Sequence, residues 1–182
     1  FPYTTLFRSG KTTEIIERLQ IVLGYIVEQS QRDFVNLDDE YYLVENYILL
    51  EKIRYGDRLK IEMNKTGNLR NWKVPPMVFF FLAENCFKHG SSLDEKEPWI
   101  KLDVKASEKQ VAFIAANSKP NTIKNNAERK KEGQGLVNLQ KRLDILYPKK
   151  GYSVKIDDEA GIYRVKIELI KATDEVGRKT YR

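Results

Sequence analysis

Three side chains in the segment ENCFKHG (Glu84 to Gly90) have the types and spacing to hold a charged ligand from one side of a helix. Asn85, Lys88 and His89 fall at i, i+3 and i+4, so a helix would project a carboxamide, an ammonium and an imidazole from the same face. A magnesium ion bound to phosphates takes hard oxygen ligands and keeps several waters, so the one carboxamide oxygen of Asn85 suffices as a protein anchor. Lys88 adds a charge for phosphate oxygens, and His89 beside it would line the same pocket. Further along, GQGLVNLQKRL (Gly133 to Leu143) sets two glycines at the opening of a second helical pattern. Gly133 and Gly135 let backbone approach a bound anion, and Leu136 follows them into a helix whose unpaired N–H groups and positive dipole end point the same way. Asn138 and Arg142 share the helical face of Gly135, and Asn138 is taken as a further phosphate candidate. Together the two segments read as a nucleotide site.

Such a site needs elements to place it. Ile15, Leu19, Val22 and Ile26, widened by Ile16, Leu23 and Val27, predict an amphipathic helix over roughly residues 12–31. Acids between Asn36 and Glu40 mark the start of a second helix, which runs to about Tyr55 with Leu43, Tyr47 and Leu50 on its buried face and ends at Gly56 and Asp57. Leu59, Ile61 and Met63 alternate as in a strand, and NKTGN supplies turn chemistry after them. Pro75 and Pro76 precede the ENCFKHG helix, and Gly90 suits its end.

Four more strands follow from the alternation around Ile100–Val104, Val111–Ala115, Tyr152–Ile156 and Tyr163–Leu169, with a helix marked by Leu136, Leu139, Leu143 and Leu146. The order strand, helix, two strands, helix, two strands predicts an α+β sandwich, a mixed sheet covered on one face by helices and preceded by a helical hairpin. Asn121 to Glu132, with Lys124, Arg129, Lys130 and Lys131 and no apolar period, reads as a loop that would close over a bound nucleotide. The last residues, KATDEVGRKTYR, read as a polar tail.

Composition narrows the class. With 182 residues, 41% hydrophobic and 32% charged, the chain has enough apolar content for a globular core, and no apolar run approaches the ~20 residues of a membrane span. The single Cys86 excludes an internal disulfide framework and points to a reducing compartment, with cytoplasm the default. A formal charge of +6 is spread among interleaved acids and does not form the basic stripe that nucleic acid requires, so no nucleic-acid partner is expected.

These segments resemble the C-terminal part of LytS-type sensor histidine kinases, whose ATP-binding domain has the Bergerat fold shared with gyrase and MutL. ENCFKHG is similar to their N box and GQGLVNLQKRL to their second glycine box. NYILLEKIRYGDRL (Asn46 to Leu59) is similar to the stretch that joins dimerisation helices to that domain. The likeness runs in order from about Thr13 to Leu169. It implies partial dimerisation helices over residues 11–56, a Bergerat-type ATP-binding domain over 57–170 and the tail over 171–182. It implies ATP and Mg2+ as cofactors, with Asn85 as the metal ligand. Its expected partners are a second copy, through the N-terminal helices, and a response regulator whose aspartate receives the phosphate.

The family's acceptor histidine follows a PHFLFN-like motif that does not occur here, so His89 is not expected to be phosphorylated. FPYTTLFRS (Phe1 to Ser9) resembles the translation of a sequencing adapter, which sets residues 1–10 apart from the fold. The expectation is a chain whose acceptor histidine, and any membrane anchor, lie upstream.

Two departures from the family pattern bear on chemistry. Related ATPases that activate water carry an acid one turn before the asparagine, where this chain has Phe81, so hydrolysis is disfavoured and Glu84 is the remaining candidate for a catalytic carboxylate. Where many histidine kinases have DxGxG, whose aspartate accepts from the adenine amino group, this chain has NSKP. Asn117 keeps a carbonyl acceptor for that amino group and adds an amide donor. The alternative reading is a non-catalytic dimerisation or scaffold module that retains the fold.

Overall fold

The computed structural model describes residues 9–90, 97–119, 134–147 and 151–171. Helix α1 (Ser9–Gln29) and helix α2 (Leu37–Tyr55) form the hairpin. A two-residue strand β1 (Val35–Asn36) between them pairs with β3 (Lys73–Val74). The main sheet is built from β2 (Lys60–Thr66), β4 (Trp99–Ala106), β5 (Gln110–Ser118), β6 (Tyr152–Glu159) and β7 (Ile162–Ile170), in the order β2-β4-β5-β7-β6. Helix α3 (Val78–Gly90) lies between β2 and β4 in the chain, and α4 (Gln134–Leu146) lies between β5 and β6.

β2 and β4 are parallel and the remaining ladders antiparallel, which makes the sheet mixed as expected. Parallel neighbours need a long crossover, and α3 supplies it. The turn after β2 depends on Gly67, whose φ is +86° and whose missing Cβ would stand 1.9 Å from the Ala106 carbonyl oxygen.

Alternation decides which side of the sheet meets the helices. Ile100, Leu102 and Val104 of β4, Val111, Phe113 and Ala115 of β5, and Val165, Ile167 and Leu169 of β7 are all buried in one core with Phe79, Leu82 and Ala83 of α3 and Leu139 and Leu143 of α4. That core continues through α3 into the hairpin. Tyr41 stacks on Phe79 with centroids 6.2 Å apart, Phe79 meets Phe113 at 5.6 Å, and Tyr47 touches both Phe80 and Phe87 at 4.9 and 5.4 Å. The layers are therefore sheet, then α3 with α4, then α2 with α1 on α3, and the apolar packing crosses the domain boundary expected at residue 56.

The predicted helices and main strands are present; β2 continues through Asn64–Thr66 of the expected turn because β4 pairs with it as far as Lys105, the short β1–β3 pair is additional, and the burial of α1 and α2 differs from expectation. α2 buries Leu37, Glu40, Tyr41, Leu43, Val44, Asn46 and Ile48, whereas Tyr47 and Leu50 are only half-buried, because α2 is covered on two sides, by α1 and by α3. The wide apolar stripe of α1 is split. Val22 is buried toward α2, and Ile16, Leu19, Leu23 and Val27 are exposed. No helix among the described residues is long and apolar enough to cross a membrane.

Because Phe79 bridges hairpin and sheet, Phe79→Ala should cost about 3–5 kcal/mol, the usual penalty for emptying a buried phenyl site. Urea unfolding followed by circular dichroism should show that loss in a single transition. Two separate transitions would show that hairpin and sheet do not share a core.

Candidate functional site

The site begins at the exposed edge of α3. Leu82, Ala83, Cys86 and Phe87 turn inward, and Glu84 and Lys88 are exposed. Phe81 and Asn85 are half-buried between these two sides, and with Lys88 they sit at i, i+4 and i+7 on one stripe. Phe81 meets the start of α4. A Cβ added to Gly135 would stand 2.0 Å from Phe81 Cζ, so the ring fills the space that a side chain would need. The stripe that carries Asn85 and Lys88 and the glycine that opens α4 are thus side by side.

The other sequence candidates fall as follows. Leu136 is half-buried and Asn138 exposed, one turn into α4. Glu84 is an exposed acid on the solvent side of α3. His89 continues the last turn of α3, and its side chain lies outside the described residues, as do Gly133 and the basic stretch from Asn121 to Glu132. Arg142, considered for phosphate, is used otherwise: its Nη2 donates to the carbonyls of Ser30 and Arg32 at 3.2 and 2.7 Å and ties α4 to the hairpin turn. Two open grooves of about 420 and 540 Å³ flank α2 and share Tyr41, Tyr42 and Glu45, and neither is lined by any of these candidates.

Asn117 sits on the helix-facing side of β5, paired with Ile100 and Tyr163, and is fully buried. Its Nδ2 donates to the Ser118 carbonyl at 2.7 Å. Reversing the amide would set two carbonyl oxygens against each other, so the network fixes its orientation. Its Oδ1 is buried and accepts from no donor among the described residues. A buried acceptor without a donor costs about 1–3 kcal/mol, which a ligand N–H would offset. The amide donor that Asn117 adds is already engaged by its own strand, so only its acceptor remains available. Asn117 to Lys119 are held in place: β5 runs through Ser118, whose Oγ accepts from Trp99 N–H at 3.0 Å, and Lys119 pairs with Asp158 and donates its N–H to the Gly161 carbonyl.

The residue that sequence reasoning missed is Glu40. The carbonyl of Met77 accepts the first helical bond of α3, from Phe81 N–H at 2.9 Å, so Met77 is the N-cap and offers no polar side chain. Glu40 reaches across from α2, fully buried: Oε1 accepts from Met77 N–H at 2.5 Å and Oε2 from Phe79 N–H at 3.2 Å, and Phe80 N–H also donates to this carboxylate. Tyr25 of α1 donates its hydroxyl to the same Oε1 at 2.8 Å. Burial raises the carboxyl above its ordinary value, while the Met77, Tyr25, Phe79 and Phe80 donors pull the other way. Burial, and then the Glu40 charge, push the Tyr25 hydroxyl far above a normal phenol, so it stays a donor. On α3 itself, burial pushes the Cys86 thiol up to about 12, which keeps it protonated and inert beside Asn85.

Comparison with known proteins follows the same lines. Residues 4–59 match the family described as Histidine kinase. The sensor histidine kinase/phosphatase LytS of Staphylococcus aureus (strain MRSA252) is 33% identical over 81 residues, which cover 44% of this chain and 14% of that protein. The sensor protein LytS of Staphylococcus saprophyticus is 26% identical over 159 residues, 81% of this chain and 26% of that protein. Over these stretches the chain is similar to LytS-type histidine kinases.

Among solved structures, the histidine kinase domain of the Erythrobacter litoralis EL346 blue-light activated histidine kinase aligns with a TM-score of 0.54 at 12% identity, over 86% of this chain and 73% of that one. The histidine kinase AdeS of Acinetobacter baumannii aligns with a TM-score of 0.53 at 13% identity, over 95% and 87%. At such identities the likeness is one of fold. The chain spans well under half the length of the curated LytS relatives it matches.

Gly135→Ala should force the Phe81 ring aside and destabilise the fold by about 1–3 kcal/mol, the cost of overpacking. Adding Phe81→Ala should recover part of that loss, with a coupling of about 1 kcal/mol or more in chemical denaturation. Strict additivity of the two changes would show that α3 and α4 do not meet there.

Proposed function

We propose that this chain is the ATP-binding catalytic domain of a two-component sensor histidine kinase and binds Mg-ATP on the stripe between α3 and α4. The reading rests on one observation above all, the contact of Phe81 with Gly135, which sets the asparagine and lysine of one helix against the glycine-led start of another. When bound, Mg-ATP supplies the phosphoryl group to be transferred. The chain's part is positioning and charge neutralisation, which carry most of the catalysis of phosphoryl transfer. Asn85 offers a hard oxygen to the metal, Lys88 offsets phosphate charge, and the first turn of α4 presents N–H groups that no preceding helical carbonyl uses. Asn117 Oδ1 accepts a hydrogen bond from the amino group of adenine, the donor its burial lacks.

His89 is the chain's single histidine and belongs to the binding helix, so the phosphoacceptor in this reading is a histidine outside these residues. From there the phosphate passes to an aspartate of a response regulator. Phe81, apolar where a water-activating ATPase needs an acid, supports transfer over hydrolysis. A second copy of the chain is the proposed occupant of the exposed α1 stripe of Ile16, Leu19, Leu23 and Val27, the last 72% exposed, completing a four-helix bundle.

Titration calorimetry with Mg-ATP should give saturable heat, and Asn85→Ala should weaken binding by about tenfold or more, or roughly 1.4 kcal/mol. GTP, with a carbonyl where adenine has its amino group, should bind at least about tenfold more weakly because Oδ1 of Asn117 cannot donate. Absence of heat with ATP overturns the reading in favour of a non-catalytic scaffold. Separately, light scattering should report a dimer for this chain and a monomer for Leu23→Glu with Val27→Glu. A monomeric parent chain would remove the dimer from the proposal.

A further inference from the structure

The cap on α3 comes from the wrong element for a purely local purpose. A Ser, Asp or Asn at position 77 would satisfy the first-turn N–H groups from within the helix. The chain has Met77 there instead, held at φ +72°, a region that side chains with a Cβ adopt at a cost. The N–H groups of Met77, Phe79 and Phe80 are served by Glu40, 37 residues earlier than Met77 and on another helix. Val78 and Phe79 are fully buried, so Glu40 stands where water cannot replace it.

No ion pair among the described residues includes Glu40. Its charge is held by N–H donors, the positive end of the α3 dipole and the hydroxyl of Tyr25. Burying a carboxylate in this way is costly, and an apolar layer would pack the helices more cheaply. What the arrangement adds is a mechanical link. Tyr25 lies on the inner stripe of α1 with Arg18 and Val22, where Arg18 donates to Asn46 Oδ1 of α2 at 3.0 Å. One hydrogen-bonded chain therefore runs from α1 through α2 to the first turn of α3.

We infer that Glu40 and Tyr25 are positioning residues for the nucleotide-binding helix, making the placement of Asn85 depend on how α1 sits on α2. The inference rests on the proposed reading of Asn85 as a nucleotide ligand. Asn85 is eight residues beyond the cap, roughly 12 Å along a rigid helix at 1.5 Å per residue, so a displaced first turn is carried to it. A shift or rotation of α1 moves the Tyr25 hydroxyl, loosens or tightens the carboxylate on the α3 N–H groups, and changes affinity for Mg-ATP without touching the site. The link between the hairpin and the open edge of α3 thus runs through one buried carboxylate.

The test uses this chain with Tyr25→Phe, which removes only a hydroxyl, with Glu40→Gln, and with both. Hydrogen exchange of the amides of Val78 to Ala83 and Mg-ATP affinity by calorimetry are read for each. Tyr25→Phe should speed exchange in that first half of α3 by about fivefold or more while leaving β5 and β7 protected as before. It should also weaken Mg-ATP by about threefold or more, and neither effect should add to those of Glu40→Gln, because both act through one bond chain. Unchanged exchange in α3, or faster exchange spread equally over β5 and β7, overturns the inference and leaves an ordinary contribution to stability. If Glu40→Gln does not fold, the exchange map of Tyr25→Phe decides alone. If the parent chain binds no ATP, the proposed function falls and the exchange map still decides the coupling.

Discussion

Helix α3 faces two demands that oppose each other. It must be buried against both the sheet and the hairpin to organise the core, and it must leave one edge open to carry Asn85 and Lys88. Burial brings a debt of its own, since the first-turn N–H groups of a helix that starts Met77-Val78-Phe79-Phe80 lie beyond the reach of water and beside no polar side chain of their own. The carboxylate of Glu40 meets that need, and most of what is particular to this molecule follows from where the carboxylate comes from. Because it comes from α2, the hairpin cannot be a detached appendage of the sheet domain. The aromatic contacts from Tyr41 to Phe79 and from Tyr47 to Phe80 and Phe87 run along the same interface, so apolar packing and a buried charge tie the same two helices.

The open edge is shaped by a second constraint. Phe81 occupies the space in which any side chain at position 135 would lie, which brings α4 in at its first turn, where helical N–H groups lack partners. Arg142 holds the middle of α4 to the hairpin turn, and Tyr147 meets Phe34 edge-on at 6.1 Å nearby. The approach of α4 to α3 is therefore set by contacts on both of its sides. Beneath it the sheet offers Asn117, a buried amide with one half bonded to its own strand and the other half without a donor among the described residues. Polar atoms in such positions are rare in folded proteins, because each costs as much as a lost hydrogen bond.

Much of the fold could be read from periodicity. The strands around Leu102, Phe113, Val154 and Ile167 alternate because one face of each meets helices, and α4 shows its inward leucines at 3.6-residue spacing for the same reason. The segments ENCFKHG and GQGLVNLQKRL stood out as well, and the fold brings them together at Phe81 and Gly135. Less legible were residues whose role depends on a distant neighbour. Glu40 reads as one acid among several at a helix start, and only the bare first turn of α3, with its missing cap, hinted that a remote acceptor was needed. Arg142 reads as one more surface residue on the face of Gly135, and its bonds to the Ser30 and Arg32 carbonyls appear only in the fold. The apolar stripe of α1 reads as one face, and only the placement of α2 divides it into a buried and an exposed half.

The sequence by itself determined which elements form, which side of each is apolar, and which short segments carry an Asn–Lys pair or helix-opening glycines, because those properties depend on residues within a turn or two of one another. Tertiary structure decided which of those groups meet. Phe81 against Gly135, Asn117 between Ile100 and Tyr163, and Glu40 on the N–H groups of α3 are relations between residues far apart in the chain. They arise only when burial brings those residues together and removes the water that would otherwise have satisfied each polar group separately.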